Sequence, residues 1–147
     1  MRCGDCGSKN IKRQNVQGRS FRWKDFSAAT VIKPLELNVC QECNNIITKA
    51  GESKLVDEAI EASISEQVRI AIAKIKDTQR CEQKDIASRL GVSPEHLSEI
   101  KSGRSMPSFQ LFNFLKTLAF DEKAFQVSSP EFKPDYKVAM AAFTTVK

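Results

Sequence analysis

Histidine is nearly absent from this chain of 147 residues, which contains only His96. Histidine is the commonest general base in enzymes, so its scarcity counts against an enzyme, although Glu or Lys can do the same work. The chain also lacks any apolar run near the roughly 20 residues that a membrane-spanning helix needs. No apolar secretory signal is visible at the N-terminus. We therefore expect a cytoplasmic, globular protein that is not an enzyme and has no membrane partner.

Positive charge is concentrated at one end of the chain. The net charge is +5, from 23 Lys and Arg against 18 Asp and Glu. Residues 1–50 contain nine basic and four acidic residues, whereas residues 51–147 contain fourteen of each. The whole excess therefore lies in the first third, which favours an anionic partner such as nucleic acid or an acidic protein surface.

Four of the five cysteines form two C-x-x-C motifs in this basic third, Cys3/Cys6 and Cys40/Cys43. Two pairs of thiolates match the tetrahedral Cys₄ coordination of structural Zn²⁺, which leaves no open position for a reacting water. Two disulfides would need an oxidising compartment, and a redox motif would not occur twice with matching turns. We predict a zinc-binding domain over residues 1–50.

The segment between the two motifs has the alternation of short strands, first at Phe21 and Trp23 and later from Leu35 to Val39. On this pattern the basic residues near Trp23 would lie on the opposite face of the strand. Two interpretations stay open for the segment: a solvated strand over a small core, or a face that docks a protein partner. The docking interpretation involves Arg19, Phe21, Arg22, Trp23 and Lys24.

Residues 83–118 contain the start and stop signals of three short helices. Gly91 and Gly103 can adopt the positive φ that ends a helix. Ser93 can cap the second helix, with Pro94 at its first position, and Pro107 and Ser108 open the third. We predict a helix, a tight turn and a second helix that crosses the first, followed by a third helix.

The remaining segments complete the predicted organisation. Residues 51–65 are predicted as a helical linker, with Ser65 as the N-cap of a further helix that begins a domain over residues 66–126. Residues 127–147 form a tail whose periodicity fits a strand or a helix. The tail can complete a dimer interface or cover its own core. Cys81 remains outside the zinc scheme and is expected to be an inert thiol rather than a redox sensor.

The helical segment strongly resembles the phage-repressor helix-turn-helix family (Cro-type, XRE). The resemblance rests on Gln83, Ile86-Ala87, Leu90-Gly91-Val92-Ser93, Leu97-Ser98, Ile100, Gly103 and Pro107. It implies a lambda-repressor-like all-α domain whose second helix enters the major groove of an operator as part of a homodimer. The implied DNA contacts are Gln83, Lys84, Ser93, Glu95, His96, Ser98, Glu99, Lys101 and Arg104.

The whole layout resembles the MqsA (YgiT-type) antitoxins over residues 3 to about 119. The shared features are the opening C-x-x-C, a basic strand, a second C-x-x-C near residue 40 and the repressor-type helices. The resemblance implies an α+β protein whose zinc domain binds a ribonuclease toxin and whose helix-turn-helix dimer represses its own operon. The alternatives are a stand-alone regulator from a phage or mobile element and, remotely, a zinc enzyme.

Overall fold

The computed structural model describes residues 1–131 and confirms the expected α+β class, with small N-terminal sheets followed by helices. The strands are β1 (Ile11–Asn15), β2 (Ser20–Trp23), β3 (Phe26–Thr30), β4 (Glu36–Cys40) and β5 (Ile46–Ile47). The helices are α1 (Glu52–Gln79), α2 (Gln83–Leu90), α3 (Pro94–Ser102), α4 (Phe109–Phe120) and α5 (Glu122–Val127). The predicted tail lies almost wholly outside the described residues.

The strands form two antiparallel sheets. One has the order β1-β4-β5, and β2 pairs with β3 in a separate hairpin. The predicted alternation fails in the central strand β4, where Leu37, Asn38, Val39 and Cys40 are all buried. Side chains of successive residues point to opposite faces of a sheet, so the burial of polar Asn38 between Leu37 and Val39 shows that both faces of β4 are covered there.

Helix α1 runs unbroken for 28 residues. The prediction that Ser65 starts a new helix is wrong: Ser65 lies in the middle of α1 and is buried. Hydrophobic residues continue at helical spacing through this point, from Ile60 and Ile64 to Val68 and Ile72, so the chain has no reason to break. One helix thus covers the predicted linker and the start of the predicted helix-turn-helix domain, and the domain boundaries themselves stay predictions.

The three short helices begin where the sequence predicted, and the first two also end there, whereas α4 continues past Leu118 to Phe120. Gly91 ends α2 at a φ of 72° and Gly103 ends α3 at a φ of 83°. The Ser93 hydroxyl accepts the His96 N–H at 3.1 Å and caps α3, whose first residue is Pro94. Ser108 caps α4 by accepting the Leu111 N–H at 3.1 Å.

One hydrophobic core joins the sheets to the helices. Phe26, at the start of β3, makes edge contacts with Phe109 and Phe112 of α4, at ring-centroid distances of 5.4 and 5.7 Å. The neighbouring Asp25 carboxylate accepts the Phe109 N–H at 2.7 Å. The β2–β3 hairpin is therefore attached directly to the first turn of α4.

Among the helices of residues 1–131, none combines the length and the apolar character that crossing a bilayer requires.

Candidate metal centre and helical surface

The four predicted ligand cysteines come together at one end of the β1-β4-β5 sheet. Antiparallel pairing places Ile11 opposite Cys40, and the Gln41 N–H donates to the Asn10 carbonyl at 2.9 Å. These contacts bring the second C-x-x-C turn against the chain that leaves the first. Strand pairing thus brings the two motifs together in space, although they lie far apart in the sequence.

The two C-x-x-C turns have the same backbone hydrogen bonds. Gly7 N–H donates to the Cys3 carbonyl, and Asn44 N–H donates to the Cys40 carbonyl, both at 2.9 Å. Gly7 and Asn44 have φ values of 73° and 62°, which is the left-handed turn expected at these positions. The matched turns are typical of a pair of metal-binding knuckles.

The sulfur geometry fits a tetrahedral metal ion. All four Sγ atoms lie within 4.8 Å of one another, and the Cys3–Cys43 and Cys6–Cys40 Sγ distances are both 3.5 Å. Zinc–sulfur bonds of about 2.3 Å in a tetrahedron place the sulfurs about 3.8 Å apart. A disulfide needs about 2.05 Å, and all four cysteines are free thiols. The cluster can therefore bind a metal ion such as zinc.

The local electrostatics favour a cation at this cluster. The backbone N–H of Cys43 lowers the pKa of the Cys40 thiol to about 7. The Asn45 N–H acts on Cys43 in the same direction, but the Cys3 sulfur, burial and the other neighbouring sulfurs outweigh it and raise the pKa of Cys43 to about 12. Several thiolates in one site repel each other, and a bound divalent ion offsets that repulsion. When bound, the metal would cross-link the two turns.

Cys81 is separate from this cluster, as predicted. It is half-buried just before α2, and burial raises the pKa of its thiol, with the Asp85 carboxylate adding to the effect. A raised pKa leaves little thiolate at neutral pH.

The predicted DNA contacts lie mainly on one exposed surface of α2 and α3. Five of them line a single shallow depression: Gln83, Glu95, Ser98, Glu99 and Arg104. Arg104 is held over the end of α3 because its Nε donates to the Ser102 hydroxyl at 3.1 Å. The arrangement brings side chains from the start of α2, the outer face of α3 and the following loop into one patch.

The other four predicted DNA-contact residues lie near this patch, and each of them contacts a neighbouring group of the chain. Lys101 Nζ donates to Gln83 Oε1 at 3.2 Å, which joins the end of α3 to the start of α2. Lys84 forms an exposed ion pair with Glu82 at 3.1 Å. His96 Nδ1 lies 4.0 Å from a Glu99 carboxylate oxygen. Ser93 uses its hydroxyl as the helix cap.

The basic strand has a less uniform surface than the alternation predicted. Trp23 is only 7% exposed and belongs to the core, and Phe21 is half-buried. Lys24 is not on the opposite face, because it follows the last residue of β2 with a left-handed φ of 48°. Its ammonium lies 4.4 Å from the Trp23 ring centroid. Arg19 donates to the Asn44 carbonyl at 2.8 Å and so supports a metal-site turn. Of the five residues in the docking interpretation, only Arg22 is an exposed basic side chain without a described partner.

Sequence reasoning missed two contacts that connect the strands to the helices. These are the Asp25–Phe109 hydrogen bond and an ion pair at 2.7 Å between Arg13 of β1 and Glu52, the first residue of α1. Neither has a local signal, because their partners are far apart in the sequence.

Comparison with protein-family models, curated proteins and solved structures finds no match to this chain.

Proposed function

We propose that this chain is a sequence-specific DNA-binding transcriptional repressor in which α2 and α3 act as a helix-turn-helix. The observation that carries the proposal is the patch of Gln83, Glu95, Ser98, Glu99 and Arg104 around one depression. In such motifs the second helix enters the major groove and its N-terminal residues contact base edges. The capped start of α3 and the glycine-ended turns on either side give the helix a fixed orientation.

The charges of the patch support selective binding rather than a strong non-specific affinity. Glu95 and Glu99 are exposed on α3, where carboxylates repel phosphates but can accept a hydrogen bond from cytosine N4. In this proposal Arg104 and Lys84 contact phosphates on either side, and the N-terminus of α2 adds backbone N–H donors. Because few phosphate contacts are expected, the non-specific affinity should be low and binding should depend on the base sequence.

A homodimer is part of the proposal, because one copy of such a helix covers only a half-site. Two copies related by a two-fold axis would contact two half-sites about one helical turn apart, in a palindromic operator.

Zinc is the proposed metal, and its role is structural. Four thiolates in a tetrahedral arrangement suit Zn²⁺, and a complete Cys₄ set leaves no position for a catalytic water. Hydrolytic activity that disappears in a folded Cys3→Ser or Cys40→Ser variant would instead indicate a zinc enzyme.

The finer proposal is the antitoxin of a type II toxin-antitoxin system, in which the zinc domain binds the toxin. Its support is the resemblance to MqsA antitoxins together with the basic N-terminal third. Arg22 and the partly exposed Phe21 are the candidate contacts on β2. A stand-alone regulator from a phage or mobile element is the alternative, and it would lack this partner.

Purification of the tagged protein from its own cells, with co-purifying proteins and DNA identified from the same sample, tests both levels. We expect the promoter of its own gene and a small protein encoded next to it. Promoter DNA without a partner would favour the stand-alone regulator. A partner without enriched DNA would contradict the repressor proposal.

A further inference from the structure

A groove of about 400 Å³ lies between the β2–β3 hairpin and the helices. One wall is formed by β3, and the other walls are formed by the middle of α1 and one face of α4. None of the predicted DNA-contact or metal residues lines it. The groove is thus distinct from both sites described above, and its volume falls in the range of about 300–1,000 Å³ that is usual for binding pockets.

In the described part of the chain, the β3 wall presents a strand edge with no strand paired to it. Within residues 1–131, β3 pairs only with β2. Val31 N–H donates to the Arg19 carbonyl on the β2 side, and hydrogen-bonding direction alternates along an antiparallel pair, so the backbone of Thr30 faces the other edge. That edge points toward α1, because Ile32 N–H, two residues further on, donates to Ser63 Oγ at 3.0 Å.

As far as residues 1–131 are concerned, the Thr30 backbone is available for a new strand contact. Outside the β2–β3 pairing, the described part of the chain forms no backbone hydrogen bond with it. An extended segment that adds to such an edge gains main-chain hydrogen bonds, and the pockets beside the edge select its alternate side chains.

The α4 wall supplies apolar surface at the right place for those side chains. Phe109 and Phe120 are 41% and 57% exposed, and half-buried Phe112 lines the groove in contact with Phe26. Exposed aromatic side chains in a concave site are typical of binding surfaces.

The positive charge of the groove favours an acidic occupant over a basic one. Lys116 is the only charged residue among those that line it, and the Lys74 ammonium lies 4.2 Å from the Phe120 ring centroid at its margin. The chain's own residues 132–147 contain Lys133, Lys137 and Lys147 but only Asp135, a balance of three minus one, or +2. The groove and this segment thus have charge of the same sign.

We propose that the groove binds an extended peptide segment of a partner protein, added as a strand beside Thr30, with alternate apolar side chains against α4 and a carboxylate near Lys116. This interaction surface goes beyond the proposed function and does not depend on DNA binding.

The test uses the full chain and a fluorescein-labelled ten-residue peptide in which Val and Phe alternate with Asp and Thr. A matched peptide has Lys in place of every Asp. We expect fluorescence anisotropy to show binding of the acidic peptide that weakens about fivefold in Lys116→Glu, as expected for reversal of a surface charge pair. Phe120→Ala should weaken it as well, whereas Lys12→Glu, at an exposed position on β1, should not. Hydrogen exchange of the Thr30 amide should slow when the peptide binds.

Three outcomes would overturn the proposal. The first is no peptide binding at protein concentrations up to about 1 mM, or binding that Lys116→Glu does not weaken and that leaves Thr30 exchange unchanged. The second is a tenfold gain in peptide affinity on deletion of residues 132–147, which would show that the chain's own segment occupies the groove. The third is a dimer that dissociates in Phe120→Ala, which would assign the groove to a second copy of the chain.

Discussion

Ser93 and Ser98 are serines on the same short helix with different local roles. The Ser93 hydroxyl accepts a backbone N–H at the start of α3, whereas Ser98 is exposed in its middle. Ser93→Ala should lower the free energy of unfolding by about 1 kcal/mol because it removes the cap. Ser98→Ala should change it by less than about 0.5 kcal/mol. Urea denaturation of both variants measures this, and equal losses would contradict the assigned cap.

Glu52, the first residue of α1, connects the helix to the preceding turn and to strand β1. Its carboxylate accepts the Lys49 N–H at 2.8 Å and pairs with Arg13 at 2.7 Å. The backbone N–H of Lys49 is the main reason that the pKa of Glu52 is lowered from its ordinary value of 4.5, and Arg13 adds to it. A carboxyl group with a lowered folded-state pKa stabilises the fold above its unfolded-state pKa, and the effect is lost as pH falls through the folded-state value.

Glu52→Gln should therefore be less stable than the parent at pH 7, with the difference shrinking as pH falls below 4.5. Thermal unfolding across this pH range provides the measurement. Glu58→Gln is the control, because Glu58 is exposed and lies 3.8 Å from its partner Lys54. A difference between Glu52→Gln and parent that did not change with pH would show that the carboxylate charge is not responsible.

At the scale of elements, α2, α3 and α4 were predictable because their boundaries are set locally. Gly91, Ser93, Gly103 and Ser108 act on backbone groups within four residues of themselves. The strands were predictable only in part. β2 and β4 show hydrophobic residues, but β1 contains a single apolar residue, Ile11, and is a strand because it pairs with β4.

Helix α4 depends on a group from another element. The Asp25 carboxylate accepts the first N–H of α4, where negative charge also interacts favourably with the helix dipole. Asp25→Ala should cost about 1 kcal/mol of unfolding free energy and should speed amide exchange in the first turn of α4. Asp57→Ala is the matched control, because Asp57 is an exposed residue of α1. Unchanged exchange at Phe109 in Asp25→Ala would contradict the contact.

At the scale of the whole molecule, the clustering of the four cysteines was predictable, and the attachment of the N-terminal sheets to the helices was not. Two C-x-x-C motifs specify a cluster whatever fold lies between them. The contact of Phe26 with Phe109 and Phe112 joins residues that lie more than 80 positions apart, and no periodicity in the sequence predicts it. The same contact creates the groove beside β3.

Metal removal should affect the whole chain because the sheets and helices share one core. We expect one metal ion per chain by elemental analysis, lost in Cys43→Ser and retained in Cys81→Ser. A chelator should lower the melting temperature of the parent in a single transition that includes the helices. Retention of the ion in Cys43→Ser, or unchanged melting of the helices after chelation, would contradict this coupling.

The central claim is that the exposed face of α3 recognises a base sequence, and operator binding of two variants tests it most directly. The parent, Glu99→Ala and Arg104→Ala are titrated with the gene's own promoter and with random DNA at several salt concentrations. We predict that Glu99→Ala changes sequence preference, whereas Arg104→Ala weakens binding to all DNA and makes the salt dependence shallower by about one unit of slope. If both variants bind promoter and random DNA as the parent does, α3 is not the recognition helix.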